Sequence, residues 1–186
     1  MSRVSHEFRR AAGKTIAAGF ALALVGGSAL TASVMVESSG AASLPHVPAC
    51  TSAALVEWIN TNFQGAAGSL YSKLNFTNLS GGTCTLRGYA GVSAINLGGM
   101  QLGKAGSRDG STPVRTVTLA PGANAVATIR VVDVGVFTAA SCHQTTAAGF
   151  RIYAPNQTVP KTIPYPFGAC KGPAGPVYIN IQAVRP

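Results

Sequence analysis

Charge is what this chain has least of. Only 10% of its residues are charged, against roughly 25% in a typical soluble protein, and the shortage falls on the acids. From Leu44 onward the carboxylate side chains are Glu57, Asp109 and Asp133 alone. Glycoside hydrolysis calls for two facing carboxylates. Asp109, however, sits in the turn sequence Ser107-Arg-Asp-Gly-Ser111, and Asp133 closes a strand pattern. Other signatures are missing as well. There is no Gly-x-Ser-x-Gly elbow in this part and no cysteine pair spaced for redox chemistry or zinc. No glycine-rich loop opens a helix to cradle phosphate, and no strand interleaves basic and aromatic residues as nucleic-acid binders do. The expectation is a non-catalytic protein without metal or cofactor and without a nucleic-acid partner. One catalytic alternative survives, because triads are defined by geometry and not by spacing. It is an extracellular hydrolase using a serine with His143 and Asp133. The plainer reading of His143 is a polar residue beside Cys142.

Long helical periods are absent too, and the N-terminus shows where hydrophobicity is concentrated instead. Arg3, Arg9, Arg10 and Lys14 precede the apolar run Ile16 to Val25, and small residues follow through Ala42. A basic start, a short apolar middle and small residues at the end make residues 1–42 a secretory signal peptide, with cleavage expected in 32–43. Thr15 to Val36 carries no charge and reaches the roughly 20 residues needed to cross a bilayer. An uncleaved anchor is therefore the rival reading, and membrane contact is expected only in that case. Arg9-Arg10 leaves the ordinary and twin-arginine routes both open. Cys50 lies too far beyond the apolar run for a lipoprotein anchor. The chain is thus read as secreted or held in the cell envelope.

Residues 43–48 read as a linker and 49–186 as one domain. The four cysteines Cys50, Cys84, Cys142 and Cys170 all lie in that domain, and an even number in an oxidising compartment reads as two disulfides. Three connectivities are possible from spacing alone. With 22 glycines and 11 prolines in the chain, short strands between tight turns are favoured over helices.

The strands show as period-two alternation. Leu70, Leu74 and Phe76 share one face, with Tyr71, Lys73, Asn75 and Thr77 on the other. Ser80-Gly81-Gly82 offers a hairpin turn into Cys84–Gly88. Val114–Leu119 and Ala123–Val132 flank Pro121-Gly122, the central pair of a type II turn. Phe150, Ile152 and Ala154 alternate with Arg151 and Tyr153, and Val177, Ile179, Ile181 and Ala183 alternate with Tyr178, Asn180 and Gln182. Ser52–Asn60 fits one or two helical turns or a first strand equally well. The fold class is all-β: a single immunoglobulin-like sandwich of short antiparallel strands.

Leu74-Asn-Phe-Thr-Asn78, Thr83-Cys-Thr-Leu-Arg-Gly-Tyr89 with Gly91-Val92-Ser93, and Val117-Thr-Leu-Ala-Pro-Gly122 resemble the actinobacterial family DUF4232, over about Pro48 to Val184. The resemblance implies a secreted or envelope-attached β-sandwich with sequential disulfides, Cys50–Cys84 and Cys142–Cys170. It implies no catalytic residues.

Ten basic residues against three acidic ones after Leu44 leave this part at +7, an excess that favours anionic surfaces. The basic residues are spread singly, which also suits a solubility role. Tyr71, Tyr153 and Tyr178 fall on the outward phase of their strands and are the candidate ligand-facing residues. The expected partner is an anionic or saccharide envelope polymer or a protein; a purely structural envelope component with no ligand is the remaining reading.

Overall fold

A computed structural model describes residues 46–172 and 174–186. The stretch read as a signal peptide, its expected cleavage region and the start of the expected linker lie outside the described residues. From Pro48 the chain is already paired: the Pro48 carbonyl accepts the Thr85 amide and Ala49 bridges Thr85. The strands follow in order as β1 (Leu55–Ile59), β2 (Gln64–Ala66), β3 (Ser69–Asn78), β4 (Cys84–Arg87), β5 (Gly91–Ile95), β6 (Gln101–Leu102), β7 (Ser107–Asp109), β8 (Thr116–Leu119) and β9 (Asn124–Val132). After a 3₁₀ turn at Val134–Val136 and one short helix, α1 (Ala139–Cys142), come β10 (Gln144–Tyr153), β11 (Lys161–Cys170) and β12 (Ile179–Gln182). The open choice over Ser52–Asn60 resolves to a strand, β1, preceded by a turn.

The all-β sandwich is formed. One sheet runs β1-β3-β9-β12-β7 with β2 also on β3; the other runs β11-β10-β5-β6; β4 and β8 make a separate ribbon. The named strands pair antiparallel except for β7 beside β12, which is parallel, as is the single bridge from Ala49 to Thr85. The inward phases of the strands meet between the sheets. Leu74 and Phe76 of β3, Ala125 to Val131 of β9, Phe150 and Ile152 of β10, and Ile179 and Ile181 of β12 are all buried there. Leu70 departs from the expected inner row at 38% exposure, because the sheets part at that end and leave an open cavity beside it.

The expected hairpin at Ser80–Gly82 does not form, since β4 pairs with β8 and not with β3. The reason is a corner. Strands β3 and β9 are paired up to Thr77 and Asn124, and both chains then bend away together and resume pairing at Cys84 and Leu119. The Pro121-Gly122 turn serves the same bend: Ala123 N–H donates to the Ala120 carbonyl, and Gly122 takes a φ of +79°, as a type II turn requires. Asn78 holds the corner from inside. Its carboxamide nitrogen donates to the carbonyls of Gly82 and Leu119 at 2.8 and 3.0 Å, and its oxygen accepts the Ser80 amide and hydroxyl at 3.0 and 2.7 Å. The side chain is wholly buried.

Two staples fix what the corner positions. Cys50–Cys84 ties the first paired residues to β4, and Cys142–Cys170 closes the end of the β10–β11 hairpin, the sequential pairing that the family resemblance implies. Closing loops of 34 and 28 residues contributes about 3–4 kcal/mol each on a chain-entropy account. At the sheet edges, Glu57 of β1 points inward and meets Lys161 of β11, Nζ to Oε2 2.9 Å. Lys161 also donates to the Leu55 carbonyl. The carboxylate oxygen has no directed hydrogen bond among the described residues, so charge holds this pair across the sheets.

Removal of the Asn78 carboxamide is expected to cost about 2–3 kcal/mol, since buried backbone groups lose their partners. Asn78→Asp should cost more than Asn78→Ala at neutral pH, because it sets a carboxylate against two carbonyls. Urea unfolding of the oxidised protein measures both; wild-type midpoints in the two variants would contradict this role.

Candidate functional site

The corner has a second consequence. It delivers the end of β4 to the other sheet at the point where β5 begins. Arg87 is the last residue of β4 and exposed; Gly88, at a φ of +109°, turns the chain and Tyr89 follows half-buried. The Val184 amide, beyond β12, donates to the Gly88 carbonyl at 2.9 Å. Because β7 lies alongside β12 with Arg108 opposite Ile181, Arg108 arrives next to Tyr89. Its guanidinium carbon stands 5.5 Å from the ring centroid, within reach of a cation–π contact.

The other wall comes from β10. Tyr153, its last residue, lies opposite Gly91 of β5. A Cβ on Gly91 would stand 3.3 Å from the Tyr153 Cβ and 3.4 Å from Cδ2, so the tyrosine packs tightly over the glycine and a side chain there would have to displace it slightly. After the turn, Asn156 adopts a φ of +59° and donates its amide to the Arg87 carbonyl at 3.1 Å. Gln157 reaches the first staple, donating to the Cys50 carbonyl at 2.9 Å and accepting from the Ser52 amide at 3.0 Å. Together Arg87, Tyr89, Arg108, Tyr153, Asn156 and Gln157 line an open cleft of about 430 Å³.

Two guanidinium groups face this cleft and no carboxylate lines it. Asp109 follows Arg108 in the chain but turns away, accepting the Ser111 amide at 2.9 Å and the Gln182 amide at 3.4 Å. The Ser111 amide holds its carboxyl below the usual carboxylate range. The other described carboxylates are equally committed. Glu57 meets Lys161, and Asp133 caps the 3₁₀ turn by accepting the Gly135 amide at 2.9 Å. Lys161–Glu57 is the one ion pair among the described residues, which leaves the other basic side chains without a charged partner. Arginine in such a place presents several donors in a fixed plane and stays ionised.

A cavity of about 490 Å³ opens elsewhere, where the β2–β3 turn approaches Val131, Val134 and Phe167. It is lined chiefly by small and apolar residues, with Asp133 at its rim. A third cleft, about 270 Å³, lies on the outer face of the larger sheet beside Tyr71.

The three tyrosines read as ligand-facing therefore separate. Tyr153 lines the arginine cleft and Tyr71 the cleft on the outer sheet face. Tyr178 is a correction: it is fully buried. It precedes β12, where the backbone does not yet follow the pleat, so extending the strand's alternation back to it misplaces its side chain. Its hydroxyl donates to the Leu102 carbonyl at 2.9 Å, and its ring occupies the space left by Gly103. His143 and Asp133 do not form a relay. His143 ends α1 with a φ of +44° and is exposed, and no hydrogen bond joins it to Asp133 or to a serine among the described residues. No cluster of three or more His, Cys, Asp or Glu suited to a metal occurs among the described residues. Sequence reasoning missed Arg87, Tyr89 and Arg108 as a group. The signal for the first two was their i, i+2 spacing around Gly88; nothing local pointed to the third.

The family described as a domain of unknown function, DUF4232, matches residues 50–185. No curated protein and no solved structure matches the chain.

Burial pushes the Tyr178 hydroxyl up to about 12. The folded state thus keeps its proton where the unfolded chain gives it up, near 10. The resulting stability is complete below pH 10 and lost as pH rises to about 12, a contribution of about 2 kcal/mol. Tyr178→Phe should be about 1 kcal/mol less stable than wild type at pH 8, through the lost hydrogen bond. That gap should narrow or reverse by pH 11 in paired urea titrations; a gap independent of pH would contradict the assignment.

Proposed function

The chain belongs to the DUF4232 family, and on that footing we propose that its folded domain is a non-catalytic module, working outside the cytoplasm, that binds an anionic polymer. The observation that carries this reading is the cleft in which Arg87 and Arg108 face solvent beside Tyr89 and Tyr153 with no carboxylate among the lining residues. Guanidinium groups hold phosphate or carboxylate oxygens through paired N–H donors. The tyrosines add hydroxyls and flat apolar surface, which suit the backbone of a polymer that carries repeating charges.

Several further features favour the reading. Arg87, Asn156 and Gln157 are linked through the Arg87 carbonyl and the segment at Cys50, so the walls are held before any ligand arrives, and preorganised groups bind at lower entropic cost. The uncompensated basic residues elsewhere would steer a polyanion toward the surface. Two disulfides fit an oxidising compartment, and the basic, then apolar, then small-residue pattern of residues 1–42 supplies a route to it. The histidine and carboxylates that a hydrolase would use stand apart from this cleft.

The protein should be retained at low salt by immobilised poly(glycerol phosphate) or polygalacturonate and released as ionic strength rises. Arg87→Ala with Arg108→Ala should weaken retention at least tenfold. Lys104→Ala with Lys171→Ala removes the same net charge and should weaken it less than threefold. Equal losses in the two double variants would assign binding to the diffuse field and overturn the cleft.

A further inference from the structure

We propose that the outer face of the six-stranded sheet carries a second site, for an uncharged glycan chain that runs from the cleft at Tyr71 to Trp58. It is independent of the arginine cleft.

The site begins with an interruption in an edge strand. Strands β1 and β2 pair with the same edge of β3, β1 against Leu74–Asn78 and β2 against Ser69–Tyr71. Between them the chain leaves the sheet at Asn60–Phe63. The departure is pinned on both sides: the Asn60 amide donates to the Lys73 carbonyl, and the Ser72 hydroxyl donates to the Asn60 carbonyl. The gap becomes a cleft of about 270 Å³ whose lining includes Asn60, Asn62, Gln64, Tyr71 and Lys73.

The lining selects the ligand. Three carboxamides converge there, and one end of each is already engaged in a bond that orients it. The Asn60 oxygen accepts the Asn62 amide, and the Asn62 oxygen accepts the Gln64 side-chain nitrogen. The nitrogens of Asn60 and Asn62 and the oxygen of Gln64 are left without protein partners among the described residues. Fixed carboxamide donors and acceptors complement hydroxyl and acetamido groups. Tyr71 is set in place by Arg130, whose guanidinium carbon is 5.9 Å from its ring centroid and whose Nε donates to Ser69. No carboxylate lines the cleft, and Lys73 is its one charged lining residue against three carboxamides and the hydroxyls of Ser72 and Thr128, so hydrogen bonds to a neutral polar ligand outnumber any ion pair it can form.

A second ring extends the site beyond one sugar. Trp58 pairs with Asn75, four residues along β3 from Tyr71 and on the same face, a separation of about 14 Å at strand rise. It is 46% exposed, yet its indole N–H is fixed to the Thr77 hydroxyl at 3.1 Å. Thr77 in turn donates to Asn124, which donates to Asn75. An exposed aromatic locked in one orientation by a polar network is a platform for the C–H face of a sugar. The two rings, with Lys73 between them, match an extended chain and not a single ring.

Trp58 is the chain's one tryptophan, so its fluorescence reads the proposed contact directly. Titration of the full protein with chitopentaose and with cellopentaose should give a saturable change for at least one of them, altered less than twofold by 0.5 M NaCl. Tyr71→Ala should raise the dissociation constant at least tenfold, and Asn62→Ala with Gln64→Ala at least threefold. The second variant lies on exposed residues and decides the matter if the first fails to fold. The Arg87→Ala, Arg108→Ala protein should bind the pentasaccharide as wild type, while Tyr71→Ala should keep its retention on polyanion. This separates failure of this site from failure of the arginine cleft. No saturable change with either pentasaccharide, a response abolished by salt, or wild-type affinity in both cleft variants would overturn the proposal.

Discussion

A buried asparagine at a bend determines where the rest of this domain goes. Strands β3 and β9 form the middle of the larger sheet, and their continuations must leave it together for β4 to reach the second sheet. A bend of paired strands strands backbone amides and carbonyls in the interior, where each unpaired group is costly. Asn78 satisfies four contacts there with one side chain. Everything downstream uses that geometry. Cys84 comes within a Cα distance of 4.9 Å of Cys50, and Arg87 and Tyr89 are placed where β5 starts.

The scarcity of charge shapes how the domain is stabilised and guarded. Core cohesion comes from apolar rows on both sheets and from rings stacked between them, such as Phe150 on Phe167 with centroids 4.3 Å apart. At the edges, β1 carries the inward charge of Glu57, and the outer strand β11 carries Pro164 and Pro166. Both devices discourage another strand from adding on. The described carboxylates are spent on the fold itself, in a cross-sheet pair, a turn and a cap. Apart from Lys161, the described basic residues have no carboxylate partner, and their surplus is what faces outward.

The parts of this architecture that depend on neighbours in sequence were legible beforehand. Alternation located β9, β10 and β12, and Pro121-Gly122 gave its turn, because pleat and turn chemistry are local. The errors mark where distant contacts decide. A glycine-rich turn after β3 suggests a hairpin, yet the continuation pairs with β8, some 35 residues onward. Tyr178 follows the alternation of β12 on paper but lies before the regular strand and turns into the core. The cysteine pairing was available only through the family resemblance, since spacing admits three solutions. The arginine cleft was illegible for the same reason as the hairpin: Arg108 meets Tyr89 only because β7 runs parallel to β12, a pairing that no local pattern encodes.

Two surfaces of different chemistry result, one cationic at the corner and one rich in carboxamides on the outer sheet face. The central claim concerns the first, that a polyanion is held in the cleft and not by the charge of the whole surface. The most direct measurement is an amide chemical-shift map of the isotopically labelled protein titrated with poly(glycerol phosphate). The account predicts that the largest shifts gather at Arg87–Gly91, Arg108 and Tyr153–Gln157. Shifts scattered over all the basic residues, or centred away from this corner, would contradict it.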